Sequence, residues 1–282
     1  MFYLIFGQAY SRDYLEVDAY NKLCLNKNSR IKMPTLKTED DTEIVVFSKE
    51  EIEVMDDYFK GKSTETAYLL GKFCGLRINE CFGLKWENVD VENGTIFIDR
   101  QMQYQNGLIK LVSPKTRNSK RTVYMNDVLK EYFEKLREQV DEYEQKKKAV
   151  RKQNRKQIED VDGSMIYSTD LVNCFPDGKI HTVNSMKYPS RAIKQMGIEF
   201  KFHYLRHTYG TRCIESGMRA VALQRLMGHT DVSVTLNTYT TIFNKYKEQE
   251  LEKVNEYYCC PDKYINIGYV REQTCSSFCK GG

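Results

Sequence analysis

Residues 202–240 read FHYLRHTYGTRCIESGMRAVALQRLMGHTDVSVTLNTYT and hold three of the chain's four histidines, arginines beside them, and a tyrosine beyond a Gly-His pair. Two helical patterns fill most of the stretch, FHYLRHTYGTRCIESG and RAVALQRLMG, ending at Gly217 and Gly228 as helices commonly do at a C-cap. His203 and Arg206 are three apart, so on a helix both project from one face, where a single small anion can meet them. Arginine suits that meeting because its planar fork donates two parallel hydrogen bonds to a phosphate and stays charged at any relevant pH. For the pair alone the plainer reading is the commoner one: a core histidine, and an arginine paired with an acid.

His229 follows a helix-ending glycine and so lies at a turn from which a side chain reaches a cleft, and Tyr239 comes ten residues later. A tyrosine near an arginine cluster has a chemical use. Its oxygen can attack phosphorus and hold the product as a phosphodiester, keeping the bond energy for a second transfer. The chain has 20 tyrosines, and any one of them is more often packing than nucleophile, so the case rests on the combination.

Outward from this stretch, Ser48 is an N-cap with Glu51 three residues on, a capping box, and Ile52, Met55 and Phe59 follow at helical spacing. ETAYLLGKFCG closes a second helix at Gly75, and INECFGLKW opens a third directly after Arg77, which places that arginine at a helix junction. Strand text comes next: GTIFID, then RQMQYQ and LIKLV joined through Asn106-Gly107, a pair that favours a tight hairpin turn. VSPKTRNSKRTVYM reads as two strand-like pieces around TRNS, a further hairpin bearing Lys115. Asn126 caps a long helix whose stripe of Leu129, Phe133, Leu136, Val140 and Tyr143 faces the domain. The stripe ends in a run of seven bases over residues 146–156, read as a solvated extension of that helix, with DNA contact the lesser alternative. SMIYS reads as a strand, and a Pro-broken helix spans 182–196. The fold class expected is α+β, mainly α-helical, with a small antiparallel sheet.

The strings GLRINECFGLKW, SPKTRNSKRTV, FHYLRHTYGT and LMGHTDVSVTLNTY, in this order, resemble those of the tyrosine recombinases, also called phage-type integrases, over about residues 44–250. The resemblance implies roles position by position. Arg77 and Arg206 look like the two phosphate-clamping arginines, and Lys115 like the lysine that protonates the departing 5′ oxygen. His203 and His229 are similar to the positions that hydrogen-bond the phosphate and assist proton transfer, and Tyr239 resembles the nucleophile. Glu80 matches an acidic position that orients Arg77, beside the plainer reading of a solvated helix carboxylate. Arg117, Lys120 and Arg121 are candidate contacts to the DNA backbone. They also surround Lys115 with charge, which lowers a lysine's pKa and eases proton release.

The implied activity is site-specific recombination of double-stranded DNA through a 3′-phosphotyrosine intermediate, integrating or excising a phage or mobile element. It needs no cofactor and no metal, since preorganised donors aimed at the phosphate oxygens supply about 3 kcal/mol each. The partners implied are specific recombination sites, a homotetramer assembled on two of them, and accessory DNA-bending factors. Two rivals stay open: a noncatalytic DNA-binding regulator using a helix-turn-helix around Gly217, and an enzyme like type IB topoisomerases.

The rest of the composition bounds these readings. At 282 residues and 41% hydrophobic the chain can bury a sizeable core, and a net charge of +4 is too small to define a partner without its local distribution. No apolar run is long enough for a membrane span and MFYLIF lacks the features of a secretory signal, so the expected location is cytoplasmic, in a bacterial cell or phage-infected host. Nine cysteines is an odd number; those at 24, 74, 81, 174 and 213 read as reduced core thiols, and Cys259, Cys260, Cys275 and Cys279 as free thiols on a tail. The expected division is 1–43 as a short segment and linker, a remnant of a core-binding domain; 44–250 as the catalytic domain; and 251–282 as the end of a C-terminal helix and a Cys-containing tail.

Overall fold

The computed structural model describes residues 2–21, 44–105, 108–114, 116, 119–229, 231–233, 235–236 and 238–239. The chain divides into two compact units, Met1–Glu43 and Ile44–Gly282. In the first, α1 (Phe2–Ser11) and α2 (Val17–Tyr20) are joined through Asp13 at φ 59°, and the Tyr10 and Tyr20 rings stack 4.3 Å apart.

The second unit begins with α3 (Lys49–Phe59), whose capping box forms: the Ser48 hydroxyl accepts from Glu51 N at 3.1 Å and the Glu51 carboxylate from Ser48 N at 2.8 Å. Next comes α4 (Glu65–Cys74), which ends at Gly75 in the left-handed region at φ 61°. A Cβ there would lie 2.5 Å from the Tyr209 ring, so both conformation and space demand glycine. Three residues after Gly75 α5 (Ile78–Gly83) starts, with Arg77 as its N-cap.

The strands are β1 (Val89–Asp90), β2 (Thr95–Ile98), β3 (Gln101–Gln105), β4 (Leu108–Val112) and β5 (Arg121–Tyr124). Beyond them lie α6 (Asp127–Asn154), β6 (Gln157–Glu159), β7 (Met165–Tyr167), α7 (Lys187–Gln195), α8 (Phe202–Glu215) and α9 (Ala220–Met227). The α+β, mainly helical class holds. The strands form two sheets, β1-β2-β5, which is antiparallel, and β3-β4-β6-β7, in which β4 and β6 run parallel.

β3 and β4 pair antiparallel as the sequence suggests; their turn, Asn106-Gly107, lies outside the described residues. The second expected hairpin does not form. β5 pairs with β2, Ile96 opposite Val123 and Ile98 opposite Arg121, so β4 and β5 belong to different sheets. The cause is burial: Ile96, Ile98 and Val123 share one inward face, all under 3% exposed.

The Asn126 side chain caps α6, accepting from Leu129 N at 2.9 Å, and burial fades along the stripe from Leu129 and Phe133, both 0% exposed, to half-buried Val140 and Tyr143. The basic run is not simply a solvated extension. The helix leaves its regular geometry at Lys147 (φ −132°, ψ 27°), and Arg151 is buried, paired with Glu144 and donating to the Pro176 carbonyl at 3.0 Å. The core lies between α4 and α8, where Gly71 lets them approach: a Cβ on it would be 2.9 Å from the Phe202 ring. Among the described residues no helix is long and apolar enough to cross a membrane.

Candidate active site

The site is assembled from the α4–α5 junction, the start of β5, α8, the end of α9 and Tyr239. At the junction Glu80, one turn into α5, reaches back: its carboxylate accepts from Arg77 N at 2.9 Å and from Arg77 Nη1 at 3.0 Å. The same carboxylate receives a two-pronged grip from Arg121, with Nη1 at 3.0 Å and Nη2 at 2.9 Å. Burial alone would raise the Glu80 pKa, but the Arg121 hydrogen bonds and the charges of Arg121, Arg77 and Arg206 hold it down at about 2. Arg77 is partly exposed, and only its Nη1 and backbone N meet Glu80, so the rest of its fork faces outward.

Arg206, on α8, is 2% exposed and has no hydrogen-bonded carboxylate among the described residues. Its Nη1 donates to the Gly75 carbonyl at 2.7 Å and its Nη2 to the Met227 carbonyl. These are the C-terminal ends of α4 and α9, where the helix dipole places partial negative charge. Burial first, then Arg77 and Arg121, lowers the proton affinity of Arg206; a guanidinium nonetheless keeps its charge in a protein. Two guanidinium groups thus bond one carboxylate and a third acts on it through its charge, and the excess is positive.

The helical spacing of α8 puts His203, Arg206, His207 and Gly210 on one face. The His203 and His207 rings meet edge to face at 4.6 Å. His203 is exposed on its outer side; desolvation of the rest, then Arg206 and Arg77, lowers its pKa. His207 is lowered to about 4 by burial, His203 and Arg206. His229, just past the left-handed Gly228 (φ 64°), is lowered to about 4 by burial and then by Arg206, Arg77, Arg121 and His203. Its Nδ1 lies 2.8 Å from the Thr235 hydroxyl. All three imidazoles are therefore neutral at pH 7, able to accept a proton.

Tyr239 is 1% exposed and packs with Cys213, Ile214, Leu223 and Met227. Its hydroxyl rests against Gly210, where an added Cβ would lie 2.1 Å from the oxygen. That is one turn of α8 beyond Arg206. The hydroxyl has no hydrogen-bond partner among the described residues, and burial outweighs the pull of Arg206, raising its pKa to about 12.

Arg77, Glu80, His203, Arg206 and His229 are thus brought together, with Tyr239 adjacent. Lys115 and Arg117 lie outside the described residues, as do Cys24 and residues 241–282. Lys120 is exposed. Arg121 corrects its expected place among the DNA contacts: it is 7% exposed and its fork is taken up by Glu80 and by backbone carbonyls. Cys74, Cys81 and Cys213 are buried free thiols and Cys174 is partly exposed. Sequence reasoning left out His207, Gly210 and Thr235. The signal for the first two was the i, i+4, i+7 spacing from His203 within HYLRHTYG; Thr235 had none. Among the described residues no group of three or more His, Cys, Asp or Glu is placed to hold a metal.

A model of the phage integrase family matches residues 46–245. A curated relative from Caldanaerobacter subterraneus subsp. tengcongensis, described as tyrosine recombinase XerC-like, is 30% identical over 226 residues, covering 77% of this chain and 55% of its own. The transposase from transposon Tn916 of Enterococcus faecalis is 25% identical over 247 residues, covering 83% and 57%. The chain therefore spans about half the length of the curated relatives it matches. Among solved structures, the Tn1549 transposon integrase in complex with transposon right-end DNA has a TM-score of 0.59 at 23% identity, covering 77% of this chain and 67% of that one; this likeness establishes the fold.

Proposed function

The protein belongs to the phage integrase family of tyrosine recombinases, and from that premise we propose that it is a site-specific DNA recombinase in which Tyr239 attacks a scissile phosphate of double-stranded DNA. One observation carries this reading. Arg77 and Arg206, far apart in sequence, come close enough to His203 and His229 to lower both imidazole pKa values, in a cluster of net positive charge beside a buried phenol. An anion completes such a site.

In the step proposed, Arg77 and Arg206 donate to the nonbridging oxygens, where negative charge accumulates as the phosphorus is attacked. The phenol oxygen bonds to phosphorus while the bond from phosphorus to the 5′ oxygen breaks. The phenol's proton passes to a neutral imidazole of the pocket, and Lys115 protonates the departing 5′ oxygen. The product is a 3′-phosphotyrosine, and a free 5′ hydroxyl from a partner strand reverses the step without a nucleotide cofactor. Residues 44–250 carry this chemistry. Relatives described as transposases, and a structural neighbour described with transposon DNA, support a role in integrating or excising a phage or mobile element in a bacterial cell. A homotetramer on two sites, accessory DNA-bending factors and a cytoplasmic location complete the reading.

The test is a nicked suicide duplex from the flanking element DNA, mapped by footprinting. Wild type is expected to trap a covalent adduct and Tyr239→Phe none. An undiminished adduct in that variant moves the nucleophile elsewhere, and none from wild type favours a DNA-binding regulator. Relaxation of supercoils without exchange between sites points to topoisomerase activity instead.

A further inference from the structure

Arg121 is a buried guanidinium of the cluster with every nitrogen engaged, its side chain 4% exposed. Nε donates to the Leu226 carbonyl at 2.6 Å, Nη1 to the Ser119 carbonyl at 3.1 Å and to Glu80, and Nη2 to Glu80. The three partners belong to three parts of the site. Glu80 holds Arg77. Ser119 in turn bonds Thr116, from its N to the Thr116 carbonyl at 3.1 Å and through a hydroxyl pair at 2.8 Å. Leu226 sits at the end of α9, beside the Met227 carbonyl that anchors Arg206 and two residues before the glycine that releases His229.

We propose that Arg121 is a positioning residue of the recombination reaction, joining Arg77 through Glu80, the Ser119 carbonyl at the start of β5 and the end of α9 in one register. It rests on the recombinase reading above. The geometry requires a fork: one ammonium on a flexible stem cannot reach two carboxylate oxygens and two carbonyls on opposite sides at once. A buried pair present only for stability would make no such link, and replacing it would change melting rather than turnover. With every Arg121 nitrogen taken by a protein partner, the role requires no contact to DNA.

The experiment compares full-length wild type, R121K and E80Q on the suicide duplex, with melting temperature, gel-shift affinity and the pH profile of single-turnover cleavage as readouts. R121K is expected to bind the duplex within about threefold of wild type while cleaving about 100-fold more slowly, the loss seen when one oriented donor is removed from an active site. Its rate should also gain an acidic limb, because Glu80 without its two-pronged partner takes up a proton and releases Arg77. E80Q cuts the same link from the other side, and should cleave as slowly as R121K but without the added limb. It carries the test if R121K melts below the assay temperature.

Cleavage by both variants at the wild-type rate overturns the inference and leaves the recombinase reading intact. So does a loss of DNA affinity in proportion to cleavage, which would make Arg121 a DNA contact. No adduct from wild type overturns both.

Discussion

Tyr239 buries a phenol that bonds to nothing among the described residues. A buried donor without a partner costs about 1–3 kcal/mol, so Tyr239→Phe is expected to melt at or above the wild-type temperature while forming no adduct. A variant that melts markedly lower would mean the hydroxyl is bonded after all. His181 is a second residue whose environment opposes its chemistry. It lies between Phe82 and Phe175, 1% exposed, with neither ring nitrogen bonded among the described residues, and burial lowers its pKa from 6.5 to about 4. The unfolded chain therefore takes up the proton first as pH falls. Stability from this residue is whole above 6.5 and declines through the window down to about 4, by up to about 3 kcal/mol. His181→Phe should flatten that part of the stability curve, measured as the difference from wild type by urea unfolding at pH 7 and pH 5. A difference that stays constant between the two pH values would show that the imidazole takes up its proton as readily in the fold as in the unfolded chain.

At the scale of elements, α8 is held against α4 closely enough that Gly71 meets Phe202 and Leu205 without room for a methyl group. That contact sets the height at which Arg206 reaches the Gly75 carbonyl. Gly71→Ala is expected to lose about 1–3 kcal/mol of stability from overpacking, and to cut adduct formation further than melting alone explains, as Arg206 shifts from its anchor. Equal adduct per folded molecule would show that the helix pair relaxes without moving the guanidinium. Along α6, Arg151 is built into the fold, whereas Lys147, Lys148 and Lys152 are exposed. Reversing the charge of those three lysines should leave the gel-shift affinity for element DNA and its salt dependence unchanged; a weaker, flatter response would make this stretch a DNA contact.

For the whole molecule, a net charge of +4 in 282 residues is diffuse, and DNA affinity should come from bases gathered around the site. Affinity is expected to fall linearly in log-log form as salt rises, at about 0.9 per phosphate neutralised; a flat salt titration would remove DNA from the list of partners. Much of this chain was legible as text. The capping box at Ser48, the helix ends at Gly75, Gly217 and Gly228, the β3–β4 pair and the shared face of His203 and Arg206 all depend on neighbours within a turn or a hairpin, where backbone geometry ties spacing to direction. Only the tertiary structure decided that β5 joins β2, that Arg121 turns inward to Glu80 across 41 residues, and that Arg206 is held by a carbonyl 131 residues away instead of by an acid. Nor does any local pattern say that the phenol of Tyr239 is seated on Gly210. Those partners are chosen by which surfaces bury together, and the spacing of residues along a chain carries no measure of that.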